Sequence, residues 1–116
     1  MVRAGFTLVE VIASLAVLAA AALGLAGTAV VAQRTLRAAE LQEQAVRHAA
    51  ALLDSLSFTD GAGSDSLSIG AIGLSWITHP GDAAPVHVVA TYPAGGALVA
   101  LAFATRRVPL PPVRRP

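Results

Sequence analysis

The side chains that could carry out chemistry are three histidines, a group of serines and a few acids. His48, His79 and His87 lack the His-x-x-x-His spacing of a helical metal site, and no acid accompanies them in a known catalytic motif. The serines form no Gly-x-Ser-x-Gly elbow, no glycine-rich loop ends in Gly-Lys-Ser/Thr, and the chain has no cysteine. The sequence therefore indicates no enzyme and no cofactor, and it excludes disulfides and zinc-thiolate sites.

The charged groups point to no specific ligand or partner. Asp60 and Asp65 could offer oxygens to calcium, but no complete ligand spacing surrounds them, and a solvated turn is the favoured interpretation. The formal net charge is +1, so no strong field points to nucleic acid or to an acidic substrate. Four of the eight arginines lie in the last eleven residues, at 106, 107, 114 and 115. They could attract anionic lipid or DNA, although a solubilising tail is the simpler interpretation.

One acid, Glu10, stands out by its position. It is the only ionisable side chain in the 27 residues from Phe6 to Ala32. A helix of that length reaches about 40 Å, which spans a bilayer with some tilt. A carboxylate inside such a span costs on the order of 2.5 to 3.5 kcal/mol near its centre, and ionisable residues in spans usually serve a function.

Two ordinary interpretations of the N-terminus remain open. A secretory signal peptide could use Arg3 as its basic region and a small-residue cleavage site at Ala20 to Ala22, but the apolar run continues past the usual length of about 7 to 15 residues. A plain single-pass anchor fits the length. The arginines on both sides of the run do not fix its orientation.

A third interpretation explains the carboxylate. The stretch Gly5-Phe6-Thr7-Leu8-Val9-Glu10-Val11-Ile12, after a short leader with one arginine, resembles the processing site of type IV prepilins and of the pseudopilins of type II secretion. The resemblance implies that a prepilin peptidase cleaves after Gly5 and methylates the new amino terminus at Phe6. It also implies that Glu10 pairs with the terminal amine of a neighbouring subunit during filament assembly. A buried carboxylate needs such a cation.

That resemblance implies a bacterial minor pilin or pseudopilin, a structural subunit of a pilus or secretion filament. Its expected location is the inner membrane, single-pass with the C-terminal domain outside the cytoplasm, and then the pilus or periplasmic pseudopilus. Its expected partners are the prepilin peptidase, other pilin or pseudopilin subunits, the inner-membrane assembly platform and the lipid bilayer, while DNA has no specific support. The alternative is a secreted or membrane-anchored extracytoplasmic binding module.

The small residues Ala20, Gly24 and Thr28 recur at every fourth position, which would let spanning helices approach closely. In so alanine-rich a segment, an accidental spacing is an equally good explanation. After Ala32 the helix becomes amphipathic, with an apolar stripe at positions 38, 41, 45, 49, 52 and 56 that should face a small sheet.

The expected fold is α+β, with a long N-terminal helix, half transmembrane and half amphipathic, packed on an antiparallel sheet of about three or four strands. Predicted strands cover 74–79, 86–92 and 97–107, separated by turn-forming Pro and Gly stretches. On the second strand, Val86, Val88, Ala90 and Tyr92 should share one face. The predicted segments are leader 1–5, apolar helix 6–32, amphipathic helix 33–58, loop 59–73, sheet 74–108 and Pro/Arg tail 109–116.

Overall fold

The computed structural model describes residues 5–59, 61–81 and 84–107. It contains one helix, α1 (Leu8–Ser57), followed by four strands: β1 (Gly63–Ile69), β2 (Ile72–Thr78), β3 (Pro85–Ala94) and β4 (Ala97–Arg106). The chain divides into two compact units, residues 1–36 and 37–116. The expected α+β fold, a long helix with a small antiparallel sheet, is confirmed.

The first unit consists of the apolar part of α1. Alanine and leucine dominate residues 8–36, and both are strong helix formers that lose little side-chain freedom in a helix. Every residue from 5 to 37 is exposed, so no other described part of the chain covers this apolar surface. The helix is long and apolar enough to cross a membrane.

In the second unit, the amphipathic part of α1 packs on the sheet. Ala45 and Ala49 are fully buried, and Leu41, Leu52 and Leu56 are partly buried against the same core. These positions recur at spacings of three and four residues and therefore lie on one helix face. The predicted apolar stripe is confirmed.

The sheet has the strand order β1-β2-β3-β4, with every neighbouring pair antiparallel. Its core lies on β2 and β3. Val86, Val88, Ala90 and Tyr92 are buried on one face of β3, as expected from the alternating pattern. Ile72 and Leu74 of β2 complete this layer, and the partly buried Trp76 packs against it.

Two tight turns set the register of the outer hairpins. Gly70 and Ala71 join β1 to β2, with φ of 61° at Gly70, which matches a type II′ turn with glycine at its first central position. Gly95 and Gly96 join β3 to β4 with φ of 60° and 85°, and a type I′ turn requires positive φ at both positions.

One sequence expectation about the sheet is wrong. The segment 59–73, expected to be a loop, contains β1 and the first residues of β2. The serines and glycines of this segment are typical of a loop. All seven residues of β1 are exposed, so backbone pairing with β2, and not side-chain burial, holds the strand in place. β4, which is apolar on both faces, lies at an edge of the described sheet. The tail 109–116 lies outside the described residues.

Candidate functional site

The candidate site is the start of α1, which Thr7 caps. The Thr7 hydroxyl accepts a hydrogen bond from the Glu10 backbone N–H at 3.3 Å. The Thr7 carbonyl accepts from the N–H groups of Glu10 and Val11 at 3.0 and 3.2 Å. An N-cap residue satisfies N–H groups that have no partner within the helix. This cap was not among the sequence predictions, although Thr-x-x-Glu ahead of an apolar run is its usual signature.

Glu10 lies in the first turn of α1 and is exposed. Its backbone carbonyl accepts a hydrogen bond from the Ser14 hydroxyl at 2.8 Å. A carboxylate at this end of a helix gains typically 0.3–1 kcal/mol from the helix dipole. That gain is smaller than the roughly 2.5–3.5 kcal/mol cost of an ionised side chain at the centre of a bilayer. Glu10 lies near one end of the apolar segment, where the cost is smaller than at the centre, and a nearby cation would offset what the helix dipole does not.

Gly5 and Phe6, the two residues of the predicted cleavage site, are both exposed and precede the first helical residue. A Cβ placed on Gly5 would meet no atom within 4 Å, so packing against the described residues does not require glycine. This exposed, non-helical position is one that a peptidase can reach. Residues 1–4 of the expected leader lie outside the described residues.

The predicted packing residues Ala20, Gly24 and Thr28 are exposed on one face of the helix. The Thr28 hydroxyl donates to the Leu25 carbonyl at 2.8 Å, which satisfies it within the helix. A Cβ on Gly24 or Gly27 would meet nothing within 4 Å. No described contact therefore uses the space that these glycines leave, and it is open to another helix.

The remaining candidates do not form a site together. Asp65 lies on β1, where its Oδ1 accepts from the Ser66 N–H at 2.7 Å, and Asp60 lies outside the described residues. His79 and His87 are exposed, and His48 is half-buried on α1. In the described part of the chain, no three His, Cys, Asp or Glu side chains are grouped as a metal site.

Arg107 departs from the solvated tail expected for the C-terminal arginines. It is only 7% exposed, and its Nη2 donates to the backbone carbonyl of Gly61. Its Nε is buried and has no hydrogen-bond partner among the described residues. No sequence signal marked Arg107, because its burial depends on a contact with a residue 46 positions earlier.

No protein-family model, curated protein or solved structure matches the chain.

Proposed function

We propose that the chain is a minor pilin or pseudopilin, a structural subunit that assembles through its N-terminal helix after cleavage by a prepilin peptidase. One observation carries the proposal. The apolar part of α1, residues 8–36, is exposed on all sides and contains one carboxylate, Glu10, in its first turn, shortly after an exposed Gly-Phe pair. The resemblance of residues 5–12 to prepilin processing sites gives each of these features a role.

The physical need for a partner follows from the surface of the helix. Residues 8–36 would extend about 43 Å, more than the roughly 30 Å hydrocarbon core of a bilayer. Lipid can cover the apolar side chains, but it cannot neutralise Glu10. Cleavage between Gly5 and Phe6 creates a new amine at the start of the mature helix. In a bundle of such helices, the amine of one copy supplies the cation that Glu10 of another requires.

The proposed location and partners follow from this assignment. The precursor inserts into the inner membrane by its single apolar helix, with the sheet outside the cytoplasm. The peptidase releases residues 1–5 and methylates Phe6, and the assembly platform adds the subunit to a filament. The role is mechanical, and no catalytic step belongs to this chain.

Mass spectrometry of the N-terminus of the protein, recovered from bacterial membranes with the peptidase present, tests the proposal. The expected product begins at Phe6 and carries one methyl group. A chain that begins near Leu23 would show signal-peptidase release and a secreted module. A chain that keeps Met1 or Val2 would show a stationary anchor. Either of these results would overturn the assignment.

A further inference from the structure

Two charged residues, Glu10 and Arg34, border the most apolar stretch of α1. Both are exposed, and Arg34 follows Glu10 by 24 residues on the same helix. At about 1.5 Å per residue, the helix rises about 36 Å between them. The hydrocarbon core of a bilayer is about 30 Å thick, and each polar layer beside it adds about 5–7 Å. The spacing therefore fits one charge in each polar layer, with room for some tilt.

The residues between these two charges leave no side-chain hydroxyl without a partner. From Val11 to Ala32, the only polar side chains are those of Ser14 and Thr28. The Ser14 hydroxyl donates to the Glu10 carbonyl at 2.8 Å. The Thr28 hydroxyl donates to the Leu25 carbonyl, also at 2.8 Å. Hydrocarbon tolerates a hydroxyl that is satisfied within its own helix, whereas an unpaired polar group is costly there. The whole segment is thus suited to the bilayer core.

We propose that Arg34 binds the phosphate groups of membrane lipids and, together with Glu10, sets the depth of α1 in the bilayer. A guanidinium presents its N–H donors in a planar fork that matches phosphate oxygens. The aliphatic stem of arginine can lie along apolar surface while its charge reaches the headgroups. With Arg34 held in one polar layer, Glu10 lies in the polar layer of the opposite leaflet, where water hydrates its carboxylate.

This depth differs from the one that hydrophobicity alone predicts. If the apolar run 6–32 were centred in the bilayer, Ala19 would lie at the centre. Glu10 would then lie about 13.5 Å from the centre, inside the hydrocarbon core. With Glu10 and Arg34 in the two polar layers, the centre falls instead at Ala22, about 18 Å along the helix from each charge. The second position avoids most of the cost of an ionised carboxylate in lipid.

The inference rests on the membrane insertion that the proposed function includes, but not on filament assembly. It also refines the role of Glu10. A carboxylate in the polar layer is hydrated, so it requires the amine of another copy only when the helix leaves the bilayer for a bundle of helices.

A depth measurement on the full-length chain tests the position. The chain has no native cysteine, so single cysteines at Ala19, Ala22 and Leu25 can each carry a bimane label. All three positions are exposed. In vesicles of phosphatidylcholine and phosphatidylglycerol, quenching by nitroxide-labelled lipids reports the distance of each label from the bilayer centre.

We expect the label of Ala22→Cys to be the deepest. The labels of Ala19→Cys and Leu25→Cys should be equally deep, each about 4.5 Å along the helix from the centre. A deepest label at Ala19→Cys would overturn this inference and leave membrane insertion intact. Labels that no lipid-borne quencher reaches would overturn membrane insertion, and with it the proposed function as well.

Charge variants test the lipid contact of Arg34. Electron paramagnetic resonance compares the association of spin-labelled phosphatidylglycerol with that of spin-labelled phosphatidylcholine in the same vesicles. We expect Arg34→Gln to reduce the preference for phosphatidylglycerol several-fold, up to about fivefold, because it removes a cation from an anionic surface. Arg34→Lys should retain the preference. Arg106→Gln, at an exposed position on β4, removes the same charge from the sheet and is the matched control. An unchanged preference in Arg34→Gln, or an equal loss in Arg106→Gln, would overturn the contact.

Discussion

Gly73 on β2 lies opposite Thr91 on β3. We expect Gly73→Ala to destabilise the protein when Thr91 is present and to stabilise it when Thr91 is replaced by alanine. A Cβ on Gly73 would lie 2.6 Å from the Thr91 hydroxyl oxygen, closer than real Cβ contacts. That hydroxyl donates to the Gly73 carbonyl at 3.3 Å. Gly73→Ala must therefore displace the hydroxyl and weaken its hydrogen bond.

The magnitude follows from three effects. Displacement of a packed group costs about 1–3 kcal/mol, including a hydrogen bond worth about 0.5–1.5 kcal/mol. Replacement of glycine by alanine within a strand otherwise gains about 0.5–1 kcal/mol. We expect Gly73→Ala to lower the free energy of unfolding by about 0.5–2 kcal/mol. In a Thr91→Ala background the obstructing oxygen is gone, and the same change should be stabilising by about 0.5–1 kcal/mol.

The assay is denaturant unfolding of the full chain in detergent, followed by the fluorescence of Trp76, the only tryptophan. Trp76 lies on β2 and is partly buried, so it reports on the same sheet. Thr91→Ala alone provides the reference for the double variant. An equal loss of stability from Gly73→Ala in both backgrounds would refute the close contact and the register that produces it.

Three further predictions follow from the described contacts. Val88→Ala, at a fully buried position, should cost about 2 kcal/mol in unfolding free energy, whereas Val89→Ala on the other face of β3 should cost less than half of that. Thr7→Ala removes the N-cap and should cost about 1 kcal/mol of local helix stability, seen as faster hydrogen exchange in the first turn of α1. Arg107→Ala should destabilise the second unit by about 1–3 kcal/mol, because it removes the hydrogen bond to the Gly61 carbonyl. In the same denaturation assay, Arg106→Ala at an exposed position should change the free energy of unfolding by less than about 0.5 kcal/mol.

Much of the fold could be predicted because periodicity directly reflects burial. The apolar stripe of α1 and the alternation along β3 each repeat with the period of their element, and both are confirmed. β1 could not be predicted in this way, because none of its side chains is buried. Its signal was Gly70-Ala71 between alternating residues, a two-residue hairpin turn that the Gly- and Ser-rich composition obscured.

The residues of the candidate site likewise divide into those that the sequence could predict and those that it could not. Gly5, Phe6 and Glu10 were selected by residue type and spacing, and their assigned roles remain predictions. The Thr7 cap could have been found from the sequence, because it is a local Thr-x-x-Glu pattern. The burial of Arg107 could not, because it arises from tertiary packing that no local pattern encodes.

The central claim is that Glu10 requires the freed amine of another copy. Its most direct test compares the incorporation of Glu10→Gln and Glu40→Gln chains into filaments, with membrane insertion measured in parallel. Glu40 is an exposed acid on the same helix, outside the apolar segment. Loss of a buried ion pair costs about 3–5 kcal/mol, so Glu10→Gln should reduce incorporation at least about tenfold while insertion is unchanged. Glu40→Gln should incorporate normally. Equal incorporation of both variants would contradict the claim.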